Sequence, residues 1–156
     1  MLYFPCLCCS NRNCRLYSGV LWLPYPNPPK TKPDPMPWPN GVWQALLLCP
    51  ECKQVRSYTK ADILWRARTD EDYAGYLLHA AWFCARFECA RSGCGTPVEL
   101  HVAADADTPT QEVDNMLRSG DVEGVLPCGH PYIPPQRGSC KITRESYREP
   151  MKSYLQ

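Results

Sequence analysis

The stretch Cys89-Ala90-Arg91-Ser92-Gly93-Cys94 repeats the spacing of Cys9-Ser10-Asn11-Arg12-Asn13-Cys14 earlier in the chain. The gap from Cys14 to the knuckle Cys49-Pro50-Glu51-Cys52 is matched, to within one position, by the gap from Cys94 to Cys128-Gly129-His130. The flanks repeat too. Gly41 stands eight positions before Cys49 and Gly120 eight before Cys128, while Tyr3-Phe4 and Trp82-Phe83 precede the first pair of each copy. Apolar runs follow at one offset, Val20-Leu21-Trp22-Leu23 against Leu100-His101-Val102-Ala103. Four metal-competent residues recurring in order with near-equal gaps are what an internal duplication leaves behind. A cysteine-rich composition alone does not impose that order.

The donor types suit one chemistry. Structural zinc takes four ligands in a tetrahedron, drawn from Cys thiolates and His nitrogens, and ligands two to four residues apart reach one ion from a single tight turn. Copy one offers Cys9, Cys14, Cys49 and Cys52; copy two offers Cys89, Cys94, Cys128 and His130. Cys6 and Cys9 also form a C-x2-C pair, which would leave Cys14 out of the first set. The repeat register favours Cys14, because Cys6 and Cys8 align with Arg86 and Glu88.

In these two sets the sequence resembles the zinc-ribbon class, in which two metal-holding knuckles are joined by antiparallel strands. The resemblance covers both halves, roughly 2–58 and 82–134, and departs from the commonest form in its x4 and x1 spacings. It implies two Zn2+ ions, with iron as an alternative at the all-cysteine site, since tetrahedral thiolate sites accept either metal. The expected fold is small and mainly β (α+β): two tandem zinc β-ribbons of antiparallel strands with one helix inserted in the second. The expected division is ribbon 1 at 1–58, a connector at 59–81, ribbon 2 at 82–135 and a tail at 136–156.

Composition agrees with a metal-held scaffold. The 156 residues include 11 cysteines and 17 prolines and carry a net charge of +1. That balance lacks the basic excess of a dedicated duplex-DNA binder. The stretch from Met1 to Cys6 has neither the basic nor the apolar segment of a secretory signal, and the longest apolar runs are too short for a bilayer. A cytoplasmic, reducing location follows as the expectation, with cysteines as thiolate ligands rather than disulfides. Units of about 50 residues are marginal on a hydrophobic core alone, and bound zinc supplies on the order of 10–16 kcal/mol in small zinc domains.

Local signals place these motifs. Residues 42–48 and 54–58 read as strands around the Cys49–Cys52 knuckle, and 81–88 and 97–103 as strands around Cys89–Cys94. In the last, Val98, Leu100 and Val102 alternate with Glu99 and His101, so His101 is predicted to face solvent. A helix is predicted over 109–119, with a Thr108-x-x-Gln111 capping box, an apolar face of Val113, Met116 and Leu117, and Gly120 at its end. Residues 24–39 are half proline and read as an extended loop. The stretch 59–81 reads as partly ordered, and the tail as loosely docked. Cys8, Cys84 and Cys140 fall outside both ligand sets, with Cys84 expected in the core and Cys140 exposed.

No catalytic constellation is visible. Both ligand sets have four members, which closes a zinc coordination sphere, and neither Cys8 nor Cys84 has an assignable base. The expectation is a recognition or adaptor module whose partner is a protein or single-stranded nucleic acid. Arg12, Arg15, Arg86 and Arg91 near Trp22, Trp43 and Trp82 suit stacking on single strands. The alternatives are a purely protein-binding role using the proline-rich loop, and an iron-thiolate electron carrier.

Overall fold

The computed structural model describes residues 1–17, 21–22, 29–32, 44–68, 81–104 and 107–145. Among them are nine strands and one α-helix, a small, mainly β α+β fold as expected. The strands are β1 (Leu2–Leu7), β2 (Leu21–Trp22), β3 (Gln44–Leu48), β4 (Gln54–Thr59), β5 (Leu64–Arg68), β6 (Ala81–Glu88), β7 (Pro97–Ala104), β8 (Glu123–Gly124) and β9 (Lys141–Glu145); the helix is α1 (Thr110–Arg118). They form a three-stranded sheet, β2-β1-β5, and a six-stranded sheet, β8-β4-β3-β7-β6-β9.

The hairpins β3–β4 and β6–β7 are antiparallel, as the strand patterns predict. The two copies are nevertheless interleaved rather than laid end to end. β3 of the first pairs in parallel with β7 of the second, Leu47 opposite His101, and β4 pairs in parallel with β8, Val55 opposite Gly124. Gly124 has φ +150°, and a Cβ there would run into the Val55 carbonyl oxygen. Glycine is what allows these two backbones to approach.

The repeated pattern also runs past the knuckles. β5 lies within 59–81, expected as a connector, and pairs antiparallel with β1; β9 lies within 136–156, expected as a loose tail, and pairs antiparallel with β6. The registers coincide: Phe4 opposite Arg66 becomes Cys84 opposite Thr143, and Cys6 opposite Leu64 becomes Arg86 opposite Lys141. Each copy therefore adds a third strand to its first hairpin. The step from Leu64 to Lys141 is three positions shorter than the step from Cys6 to Arg86. The same shortening separates β2 from β7, since Cys6 faces Trp22 while Arg86 faces Glu99. The sequence alignment of Val20–Leu23 with Leu100–Ala103 is thus three positions out of register. The added length falls between Leu16 and Trp22, and the first copy has there a 3-10 turn, Arg15–Tyr17, which the described residues of the second copy lack.

One face of the large sheet carries the main core. Leu46, Leu48, Phe83, Ala85, Phe87, Val98, Leu100 and Val102 are buried there against Val113 and Leu117 of α1 and against Val122, Leu126 and Tyr132. Burying each large apolar side chain contributes roughly 1.5–3 kcal/mol. The Tyr132 hydroxyl donates to the Leu117 carbonyl, and its ring meets Phe87 edge-on. The helix keeps its predicted apolar face but not its predicted start. Pro109 occupies the N-cap with no side-chain bond, so the Thr108 capping box does not form; Ser119 is the C-cap and Gly120 follows it directly, where the helix was expected to end. Of the proline-rich stretch 24–39, only 29–32 lie among the described residues; the Pro29 carbonyl accepts from the Tyr3 amide of β1 at 2.9 Å. Among the described residues no helix is long and apolar enough to cross a membrane.

Candidate metal centres

The first knuckle sits in the turn between β1 and β2, where the Cys14 amide donates to the Asn11 carbonyl and the Cys9 amide to the Leu16 carbonyl. The second copy repeats both bonds at the matching positions, Cys94 to Arg91 and Cys89 to Thr96. The sulfur atoms receive amides at equivalent positions too: Asn11 donates to Cys9 and Leu16 to Cys14, as Arg91 does to Cys89 and Thr96 to Cys94. Amide donors of this kind stabilise thiolate over thiol.

The other knuckle of the first copy is the β3–β4 turn, closed by Cys49 donating to the Gln54 carbonyl and Lys53 donating to that of Cys49. Lys53 takes φ 60° to complete it. In the second copy the chain leaves β8, forms a bridge from Val125 to Pro131, and turns through Cys128 and His130. There Leu126 donates to the His130 carbonyl and Gly129 to that of Leu126.

These turns bring together two tetrads, Cys9/Cys14/Cys49/Cys52 and Cys89/Cys94/Cys128/His130, each with its ligand atoms within 4.8 Å of one another. The separations discriminate further. Four sulfurs at about 2.3 Å from one ion span tetrahedral edges of about 3.8 Å, and a sulfur–nitrogen edge is about 3.5 Å. Cys9 and Cys52 sulfurs are 3.8 Å apart, and those of Cys14 and Cys49 are 3.6 Å apart. In the second tetrad His130 Nδ1 lies 3.5 Å from the Cys89 sulfur and 3.6 Å from that of Cys128. Both tetrads therefore fit a tetrahedral ion, with Nδ1 as the imidazole donor. No cysteine of the eleven is in a disulfide.

Cys6 is held apart from the first tetrad. It is fully buried in β1, with its thiol donating to the Leu64 carbonyl at 3.4 Å, and burial pushes that thiol up to about 11. Within the tetrads the electrostatics divide. Burial raises Cys9 and Cys49, while Cys52 is lowered because hydrogen bonds from the Gln54 amide and the Asn11 side chain outweigh its burial. The Thr96 hydroxyl and amide hold Cys94 down at about 6.

The first tetrad joins the two sheets, since Cys9 and Cys14 belong to the β1–β2 hairpin and Cys49 and Cys52 to β3–β4. Around it the Ser10 amide donates to the Tyr58 hydroxyl at 3.2 Å and Arg56 to the Ser10 hydroxyl at 3.4 Å. Arg15 bridges the knuckles to Glu51 at 2.7 Å, an exposed pair that solvent screens.

The other residues singled out by sequence are distributed as follows. Arg12 and Arg91 are exposed on the knuckle tips, while Arg86 lies 3.6 Å from Glu99. Trp43 and the side chains of Trp22 and Trp82 lie outside the described residues. Cys84 is buried as expected, and Cys8 is half-buried. Cys140 corrects the expectation of exposure: it is half-buried against the core, which pushes its thiol up to about 11. His101 is a second correction, only 3% exposed rather than facing solvent. Period-2 alternation assumes a sheet with one wet face, but β7 is an inner strand and Leu47, Cys84 and His101 are buried on the face opposite α1. Cys84, Glu99 and His101 form a third group of donor atoms within 4.8 Å, which sequence reasoning missed. Its signal lay in the hairpin register that sets Cys84 opposite His101. Comparisons with protein-family models, curated proteins and solved structures found no match.

Proposed function

We propose that this chain is a non-catalytic recognition module whose binding surface is fixed by two structural zinc ions, one in each tetrad. The observation that carries the reading is the agreement of the sulfur–sulfur and sulfur–nitrogen separations with tetrahedral edges. Four donors per site leave no coordination position for substrate or water, which is the mark of a structural rather than a catalytic zinc. Bound in this way, zinc supplies tetrahedral cross-links that tie separate hairpins together; Cys9, Cys14, Cys49 and Cys52 would hold one ion and Cys89, Cys94, Cys128 and His130 the other.

The exposed knuckle tips, bearing Arg12 and Arg91, are the surface offered to a partner. Single-stranded nucleic acid, or a protein that handles it, suits cationic tips on a near-neutral chain. A protein partner is the second reading, favoured by the ion pairs that engage Arg15 with Glu51 and Arg86 with Glu99. Anisotropy of a labelled oligonucleotide, measured with the zinc-loaded chain across a salt series, separates them. Binding that falls steeply with salt and is lost in Arg12→Ala/Arg91→Ala supports the nucleic-acid reading. Absent binding at low salt rejects it in favour of the protein partner.

A further inference from the structure

Cys84, Glu99 and His101 lie on one face of the β6–β7 hairpin, opposite the face packed under α1. Cys84 pairs directly across from His101, and Arg86 directly across from Glu99. Cys84 and His101 are 1% and 3% exposed, whereas the Glu99 side chain is half-exposed. His101 Nε2 lies 3.4 Å from Glu99 Oε1. Nitrogen and oxygen donors at about 2.0–2.2 Å from one tetrahedral ion span an edge of about 3.4 Å. The other carboxylate oxygen, Oε2, is 3.6 Å from Arg86 Nε, so the carboxylate is oriented from behind in the way outer residues orient metal ligands.

The internal repeat shows that the fold does not need a thiol at the position of Cys84. By strand register Cys84 corresponds to Phe4, and Glu99 to Trp22. Phe4 is fully buried in the first copy, so an apolar ring serves where the second copy carries a thiol.

We propose that Cys84, Glu99 and His101 form a third metal site, taking a divalent ion of the zinc class through one sulfur, one nitrogen and one oxygen. Three protein donors leave one position open, reached from the Glu99 side, for water or a small anion. The site differs from both tetrads in donor count and in having an exposed ligand, so its metal exchanges first.

The test is a titration of the full-length, metal-free chain with cobalt(II), followed by ligand-field absorbance and native mass spectrometry. The wild type is expected to take up three equivalents, the third held more weakly and stripped by a mild chelator without loss of sheet circular dichroism. Cys84→Ala and His101→Gln should stop at two, and their unchanged filling of the first two equivalents shows that they fold. Glu99→Gln alters a half-exposed residue and leaves the core alone; it should weaken only the third equivalent, on the order of tenfold or more. A wild type that saturates at two would make the trio an ion-paired cluster and overturn the proposal. A third equivalent bound equally by all three variants would place that ion elsewhere and overturn it as well. Neither result touches the two tetrads, whose equivalents are counted separately.

Discussion

Replacing Gly124 with alanine probes the joint on which the interleaving of the two copies depends. The added Cβ would overlap the Val55 carbonyl oxygen and lie 2.8 Å from the Val55 Cβ, and the residue's φ of +150° is one that L side chains rarely adopt. The backbone conformation costs about 1–3 kcal/mol and the overlap about 1–3 kcal/mol more. The middle of the combined range is about 4 kcal/mol, a fall in Tm of about 8–16 °C for a chain of this size. The strain is also directed. The Gly124 carbonyl accepts from the Tyr132 amide at 2.8 Å, and the chain between them carries Cys128 and His130. The variant should therefore loosen the second tetrad's metal and leave the first's unchanged. Thermal denaturation in saturating zinc, followed by circular dichroism, reads the first effect, and competition with a chromophoric chelator reads the second. Gly120→Ala is the control, because a Cβ there meets nothing within 4 Å. A Gly124→Ala protein melting within about 2 °C of that control, with both metals held equally, would refute the parallel β4–β8 contact.

Other substitutions address the ligands and their turns. Cys14→Ser should weaken the first site by about 3 kcal/mol, roughly a hundredfold, if four ligands share the binding free energy of a structural zinc; Cys6→Ser should leave metal affinity unchanged in the same competition assay. Lys53→Gly relieves a φ of 60° in the Cys49–Cys52 turn and should stabilise the folded chain by about 0.5–1 kcal/mol in urea denaturation. In the metal-loaded protein at pH 8, iodoacetamide should modify Cys8 first. A thiol at about 11, as at Cys6 and Cys140, is thiolate in only about one part in a thousand at that pH. As pH rises toward 11 these two become reactive, where burial allows access, which peptide mapping of the labelled protein checks.

What could be read from sequence was what chemistry repeats. The equal spacing of Cys9 with Cys14 and of Cys89 with Cys94 led to both tetrads, because the turns that present ligands tolerate little change in spacing. Hairpin strands were legible from apolar runs beside those turns. β5 and β9 were not: Leu64-Trp65-Arg66-Ala67-Arg68 and Lys141-Ile142-Thr143-Arg144-Glu145 are edge strands, and edge strands carry charge that masks their pattern. His101 was misplaced for the opposite reason, since strand alternation does not reveal that a second face is covered. The parallel β3–β7 pairing joins Leu46 to Leu100, far apart along the chain, and no local signal encodes it. The Cys84–Glu99–His101 group lies in the β6–β7 hairpin, whose register sets Cys84 opposite His101, and it was missed because His101 had been placed on a solvent face.

Two metal ions, one in each tetrad, are proposed to hold this fold together. Elemental analysis paired with native mass spectrometry of the chain purified without chelator tests that proposal most directly. The expected result is two tightly held zinc ions per chain, with a mass showing all cysteines reduced and protons displaced from the ligand thiols. A chain carrying no tightly held metal, with mass deficits of two hydrogens per cysteine pair, would contradict it and make the tetrads sites of disulfide formation.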